Sequence, residues 1–418
     1  MSQKNTNMHS SGAIFIMPRS SNAWRGAEAL WITVAGWSAA AKRMFGSAWV
    51  VTSDKIVDPE TAIHFPGPAP SPISSKAKGT WVPMTMKTGM KDILLWTQTR
   101  KFRRRGVGGA WNNTSIQFVW EQHDLFPGPG KRLADQLGVP FVIYVHAPVV
   151  WEAARWGVKR PVWGKLLEHF SEKRSLSQAD IVACVSQEVA DKLIEMGISE
   201  EKVLVSPMAV DPNLFAGLKP DMSIISPDLN GKLIIGWTGS FRSFHGLDLL
   251  LHAFAKVYST HRECVLVLVG DGIERAKIEA LAKHLKLERS VIFAGKVSFT
   301  EMPKYISLFD IAVVSARSAA DFHYSPLKLR EYLAVGIPTI APRAGEMANT
   351  FRDEEHLLFC EAGDINDTAL KMSRLINDKS LSSKLSQEGK KYALMHCTWD
   401  NEVKKLLERL SITELRGK

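Results

Sequence analysis

Short runs of β-branched and other apolar residues, each followed by a stretch with helical spacing, recur along the 418 residues of this chain. Such alternation restricts the fold to βαβ units and parallel sheets, because parallel neighbours need a crossover long enough to hold a helix. The first half carries expected strands at 13–17, 49–52, 93–96, 116–119, 141–145, 181–185 and 203–205. The second carries them at 233–236, 265–269, 291–294, 311–314, 339–341 and 357–359. Between the halves lies LKPDMSIISPDLNGK, residues 218–232, with two prolines, a glycine and no clear period, which marks a linker. The expected fold class is therefore α/β, with two doubly wound Rossmann-like domains facing a cleft. The first covers 1–217 and the second 233–395, and the segment 396–418 is a closing helix. Sheets of this kind bind ligands beyond the carboxyl ends of their strands, so the loops after strands are the places to look.

Composition narrows the class further. With 45% hydrophobic and 23% charged residues the chain is globular in type. Cys184, Cys264, Cys360 and Cys397 are widely spaced, which argues against a disulfide framework or structural zinc and fits a reducing cytoplasm. The most apolar stretch, AEALWITVAGWSAAA at 27–41, falls short of a bilayer span of about 20 residues. It follows an expected strand and precedes Lys42-Arg43, the reverse of a signal peptide, and so reads as a helix. Residues 55–90, rich in Pro, Ser, Gly and Lys, are the least regular segment and read as a mobile loop.

The net charge of +10 points to an anionic partner. Its distribution is uneven. Lys87, Lys91, Arg100, Lys101, Arg103, Arg104 and Arg105 face a single nearby acid, Asp92, and Trp151, Trp156 and Trp163 are interleaved with Arg155, Lys159, Arg160 and Lys165. Basic and aromatic residues together suit the headgroup zone of an anionic membrane, although a solvated basic face with inward tryptophans has the same composition. No nucleic-acid-binding motif accompanies the charge, so nucleic acid is not an expected partner.

The run SPLKLREYLAVGIPTIAP, 325–342, carries the clearest chemistry. Ser325 followed by Pro326 predicts an N-cap and first helical position, with Leu327 next and Gly336 closing the helix. The free amides and positive dipole end of such a helix suit a diphosphate, and Lys328 and Glu331 share one face of its first turns. An ordinary capped helix also fits this pattern. After strand 233–236, the loop Gly239-Ser240-Phe241-Arg242-Ser243-Phe244-His245-Gly246 offers close backbone approach together with Arg242 and His245 as cations. Gly270 closes strand 265–269, either as a simple turn or against a ligand, and Gly295-Lys296 closes 291–294, where a nucleobase could rest. In the first half His123 follows strand 116–119 and His146 ends strand 141–145, positions from which an imidazole can reach a sugar hydroxyl. Arg25 and Gly26, after the first strand, are further candidates for acceptor or cleft contacts. There is no Asp-x-Asp, the usual carboxylate pair for a metal-bound nucleotide sugar, and no metal site is expected. The absence of GxxxxGK[ST], of GxSxG and of GxGxxG after the first strand speaks against kinase, hydrolase and dehydrogenase.

Taken together, VSPMAVDPNLF from 205, VGDG from 269, FAGKV from 293, the 325–342 run, AGD from 362 and Trp399 with its helix to Leu410 resemble the GT-B glycosyltransferases, specifically the retaining glycosyltransferase family 4. That resemblance implies transfer of a sugar from a nucleotide diphosphate donor to a glycan or lipid-linked acceptor, with retained configuration and neither metal nor cofactor. It implies a last helix that crosses back to the first domain; the cysteine and charge patterns add the expectation of a cytoplasmic protein, peripheral on an anionic membrane through Arg100–Arg105 and Trp151–Lys165. It assigns Glu331 to the donor ribose, Lys328 and Arg242 to phosphate, and His123 to the reacting sugar. Gly239, Ser240, His245, Gly270, Gly295, Lys296, His323, Ser325, Pro326 and Leu327 would line the donor. Three positions depart from the family pattern: His323, with Asp321 nearby, stands for its first glutamate, His245 for a lysine, and Met208-Ala209 for Asn-Gly. A nucleotide-sugar epimerase and a catalytically weak nucleotide-sugar-binding scaffold are the alternatives.

Overall fold

The computed structural model describes residues 11–24, 28–64, 83–215, 217–225, 229, 231–320, 322 and 324–416. The chain divides into two compact units, Met1–Pro207 with Trp399–Lys418, and Met208–Thr398. Each is built on one sheet, as the alternating pattern requires.

In the first unit the strands are β1 Ser11–Ile16, β2 Gly46–Val51, β3 Ile56–Val57, β4 Ser115–Gln122, β5 Phe141–Val145, β6 Ile181–Cys184 and β7 Val203–Val205. They lie in the order β3-β2-β1-β4-β5-β6-β7. All pair in parallel except β2 with β3. The strand order reverses between β1 and β4, which places the switch point beside the residues that follow those two strands. Burial on both faces explains the nearly continuous apolar runs in β1 and β5.

In the second unit β8 Leu233–Thr238, β9 Cys264–Val269, β10 Val291–Gly295, β11 Ile311–Val313, β12 Thr339–Pro342 and β13 Leu358–Cys360 form an all-parallel sheet. Its order, β10-β9-β8-β11-β12-β13, is that of a dinucleotide-binding Rossmann sheet. The switch point lies between β8 and β11.

The boundary between the units falls ahead of the expected linker at 218–232. Val210 and Phe215 pack into the core of the second unit, and the Val210 amide donates to the Cys397 carbonyl at 2.9 Å, so the chain is already part of that unit at Met208. The chain returns at Trp399, whose helix Trp399–Arg416 belongs to the first unit. There Trp399 stands 6.3 Å from Trp37, which in turn packs on Tyr144 at 5.7 Å, while Trp120 stacks on Tyr144 at 5.6 Å. Glu402 accepts from the buried Ser206 hydroxyl at 2.8 Å.

Two sequence expectations are corrected. Residues 93–96, expected as a strand, lie inside the helix Met84–Arg105. Four apolar residues cannot by themselves distinguish the two periods, and among the described residues no strand pairs with them. The irregular stretch at 55–90 holds β3, the short helix Pro59–Ala62 and the start of that long helix; its residues 65–82 lie outside the described ones.

A methyl group added at Gly36 would overlap the Trp399 indole. Gly36→Ala should therefore destabilise the protein by about 1–3 kcal/mol through overpacking, and Trp399→Ala by about 3–5 kcal/mol through the cavity it leaves. Denaturant unfolding of both variants would check this; an unchanged midpoint for Trp399→Ala would show that the returning helix contributes little.

Candidate active site

The second unit gathers its chemistry at the switch point. Thr238 ends β8, and its amide and hydroxyl both meet the Tyr332 hydroxyl, at 2.7 and 2.9 Å. Tyr332 lies on the helix Leu327–Val335, so this bond ties the strand end to the first turns of that helix. Gly239 follows at φ 140°, and a Cβ there would come within 2.7 Å of Lys328 Nζ. Only glycine allows the lysine to pass.

Lys328 is the unusual group. Its Nζ is buried with no hydrogen-bond partner and sits 3.9 Å from the centroid of the Trp237 ring. Burial pulls its pKa down to about 7, opposed by Glu331. Burial likewise pushes Glu331 up to about 8, opposed by Lys328. A cation-π contact offsets part of the desolvation of an ammonium, but an unmade set of three donors at a helix N-terminus remains a place prepared for an anion. Trp237 is itself fixed: its Nε1 donates to Ser315 Oγ at 2.9 Å, and that hydroxyl donates to the His245 carbonyl at 2.6 Å.

Ser325 was expected as the N-cap, but Pro326 holds that position and no side chain caps the helix. The Ser325 hydroxyl instead accepts from the Met208 amide at 3.2 Å and donates to Glu346 at 3.1 Å. Glu346 also binds Arg330 and accepts from Thr350 at 2.8 Å. The serine thus secures the chain from beneath and leaves the helix N-terminus without a side-chain cap. His245 was expected as a cation. Burial, reinforced by Lys328 and Arg242, pushes its pKa well below the usual histidine value, so it is neutral near pH 7. Arg242 and Ser240 are exposed on the same loop. Gly270, at φ 140°, presses against the Gly239 carbonyl, and its amide donates to Gly295 at 2.7 Å, so Gly239, Gly270 and Gly295 form one bank of loops, with Lys296 exposed beyond it. Leu327 opens the helix as its first residue. His323, Asp321, Arg25 and Gly26 lie outside the described residues. Among the described residues no cluster of three His, Cys, Asp or Glu side chains could hold a metal.

The first unit holds the two histidines. His123 Nε2 lies 2.9 Å from Glu172 Oε1, both side chains fully buried. The same carboxylate accepts from the Val149 and Val150 amides at 2.6 and 3.1 Å, so it caps the Val149–Arg155 helix while orienting the imidazole. Glu172 projects from a π-helical turn, Glu168–Lys173, a feature often found at functional sites. Asp124 forms a two-pronged pair with Arg19, at 2.6 and 2.5 Å, across the β1–β4 switch point. His146 is half-buried with its Nε2 atom enclosed and unpartnered, and desolvation lowers its pKa to about 4, so it offers a neutral acceptor or donor. Sequence reasoning missed Arg19, Glu172 and Trp237. The position of Arg19 just after β1 was the available signal; Glu172, 49 residues from His123, gave none.

The two sheets and the bank of loops at the second switch point define a two-domain α/β protein of GT-B type. Solved structures agree: HepE of Anabaena, in complex with UDP, with UDP and glucose, and with UDP-glucose, superposes with a TM-score of 0.61 at 16–17% identity, over 96% of this chain and 99% of that one. The model for glycosyl transferases group 1 matches residues 223–392, and that for glycosyltransferase family 4 matches 110–214. The chain belongs to this family, the group 1 glycosyltransferases of family 4. It is 24% identical over 218 residues to N-acetyl-alpha-D-glucosaminyl L-malate synthase of Bacillus anthracis, covering 51% of this chain and 55% of that protein. It is also 24% identical over 300 residues to mannosylfructose-phosphate synthase of Agrobacterium fabrum, covering 66% and 64%. The matches thus span a little over half to under two thirds of these relatives' length.

Lys328→Met keeps the volume and removes the buried charge, so it should stabilise the ligand-free protein by about 1–3 kcal/mol near pH 7. The native pKa of about 7 lies below the unfolded value of 10.5, so the unfolded chain binds the extra proton between them and wild-type stability rises with pH across that window. The gap between variant and wild type should therefore close from pH 7 towards 10.5 in denaturant titrations. A gap independent of pH would refute the buried charge.

Proposed function

We propose that this protein transfers a sugar, with retention of anomeric configuration and without a metal, from a nucleoside diphosphate donor to a glycan or lipid-linked acceptor. The observation that carries the reading is the buried, unpartnered Lys328 ammonium at an open helix N-terminus facing Gly239. A diphosphate would supply the missing acceptors. Support also comes from the family, and from HepE having been solved with UDP-glucose.

In this reading the diphosphate lies against Lys328, the first amides of the Leu327–Val335 helix and the Gly239 loop, with Arg242 adding charge from the surface. Glu331 receives the ribose hydroxyls, and the Gly295–Lys296 turn receives the base. The bond between the anomeric carbon and the diphosphate oxygen breaks as the acceptor hydroxyl bonds to the same face of that carbon, and the hydroxyl proton passes to the departing phosphate. Charge builds on the leaving oxygen, so preorganised donors there lower the barrier more than they tighten the ground state. His123, oriented by Glu172, would hold the sugar or acceptor hydroxyl from the first unit. A nucleotide-sugar donor and a surface-glycan acceptor would suit a protein in the cytoplasm, peripheral on the inner membrane face. The described residues contain no helix long and apolar enough to cross a membrane.

UDP-, GDP- and ADP-sugars without added metal should include one class that raises the melting temperature, since binding to the folded state stabilises it. With that donor, Lys328→Met should lower kcat/KM by roughly 100- to 1000-fold, and proton NMR of the product should show the donor's anomeric configuration. An inverted product would end the retaining assignment; binding without turnover over a broad acceptor panel would favour the scaffold alternative. Diphosphate binding should also draw a proton onto Lys328 above pH 7, so affinity should weaken by up to about tenfold per pH unit there, and lose this dependence in Lys328→Met.

A further inference from the structure

The helix Met84–Arg105 is inside-out. Its buried stripe is Thr88, Asp92, Thr99 and Phe102, three polar residues among four, and the threonine hydroxyls are used up on the Met84 and Leu95 carbonyls. At about 100° per residue, the side opposite Asp92 presents Met86, Met90, Ile93 and Leu94, each between 59% and 64% exposed. Further along the same side come Arg100, Lys101 and Arg104, also exposed. A soluble helix turns its apolar stripe inward, so this inversion calls for a second surface to cover it.

The orientation is enforced. Asp92 accepts from Arg160 Nε and Nη2 at 2.8 and 3.0 Å and from Trp163 Nε1 at 3.1 Å, all within the protein. This clasp joins the helix to the turn before the Trp163–Leu167 helix. That neighbouring segment is equally unusual: Val162, a β-branched residue held at φ 62°, is 84% exposed, and Phe170 is 65% exposed. Holding valine there costs free energy, as strained residues at functional sites do.

We propose that this face docks on an anionic lipid bilayer: Met86, Met90, Ile93 and Leu94 enter the headgroup–acyl boundary, with Val162 and Phe170 beside them, and Arg100, Lys101 and Arg104 bind lipid phosphates. Charge selects this occupant. Lys87, Lys91, Arg100, Lys101, Arg103, Arg104 and Arg105 have no ion-pair partner among the described residues, and the one acid of the helix is spent on Arg160. An isologous dimer through the face would set two such basic clusters in one interface. A nucleic acid would leave the methionine and leucine side chains unused. Apolar insertion combined with basic headgroup contacts matches interfacial helices. The sequence put Arg100–Arg105 and Trp151–Lys165 in the contact; within the latter stretch Trp163 serves the clasp while Val162 stays exposed, and the proposed contact adds the methionine, isoleucine and leucine side chains of the long helix.

The inference deepens the peripheral-membrane part of the proposed function and rests on that part alone. Its test needs neither donor nor acceptor, so its failure leaves the nucleotide-sugar reading standing. The purified full chain is floated with vesicles of phosphatidylcholine alone and with about 30% phosphatidylglycerol. It should float with the anionic vesicles, lose most of that binding in high salt, and not float with neutral ones. Arg100→Glu with Arg104→Glu should weaken partitioning by roughly 30-fold or more. Ile93→Glu with Leu94→Glu should abolish it while leaving circular dichroism and melting temperature unchanged, since both residues are exposed. Equal flotation with both vesicle types, or full binding by either double variant, would overturn the proposal. So would the absence of flotation together with a dimer that Ile93→Glu/Leu94→Glu dissociates, which would assign the face to a second copy of the chain.

Discussion

An ammonium group taken out of water with nothing to accept its protons raises the free energy of the folded state, and Lys328 is held in that condition between Trp237 and Gly239. Nothing in the sheet requires it. The surrounding packing must therefore impose it. Tyr332 bonds Thr238 and fixes the helix against the strand end; Ser315 fixes the indole that faces the ammonium; glycine at 239 leaves the space the side chain passes through. Each contact restrains a different neighbour of one group. Their common effect is that Nζ cannot retreat to solvent, and that an incoming anion meets a donor already desolvated.

The network beneath the same helix works in the opposite sense. Arg330, Glu346, Ser325 and Thr350 are buried or half-buried, paired with one another, and linked to the Met208 amide. A satisfied buried network rigidifies what it touches, whereas removal of one partner leaves the rest exposed to the full desolvation penalty. Two charged systems on adjacent turns thus do different jobs: the lower one is cross-linked through Glu346 and holds position, whereas the upper one presents an ammonium with no hydrogen-bond partner. The sequence order Lys-Leu-Arg-Glu alternates between them, since residues three apart share a helix face and residues two apart do not.

How much of this could be read beforehand follows from the range of each interaction. The parallel sheets, the Gly336 helix end and the placing of Lys328 and Glu331 on one side of the helix depend on patterns spanning a few residues, and the sequence displayed them. The role of Ser325 was misread because a Ser-Pro pair fits an N-cap locally, while its actual partners, Met208 and Glu346, are distant in the chain. Cationic His245 was misread for a related reason: only packing reveals that its ring is buried beside two other cations. Glu172 was invisible, because a carboxylate 49 residues from the imidazole it orients leaves no local trace.

The Met84–Arg105 helix shows the limit of composition most plainly. Its basic residues were evident as a run, but which side they share with apolar residues depends on the helical period, and a strand assignment at 93–96 hid that period. Once the stretch is a helix, Asp92 decides its rotation. Pairing with Arg160 and Trp163 removes the carboxylate from water in favourable geometry, and any rotation that buried Ile93 and Leu94 would instead break those bonds. Breaking a buried pair by removing one partner costs about 3–5 kcal/mol, against about 1.5–3 kcal/mol gained for each apolar side chain buried. The two alternatives are comparable, so the exposed apolar face persists only because the clasp and the polar stripe of Thr88 and Thr99 act together. Replacing the polar stripe with leucine would remove what holds the helix in this rotation, so the exposure of its outer face is decided by the residues beneath it.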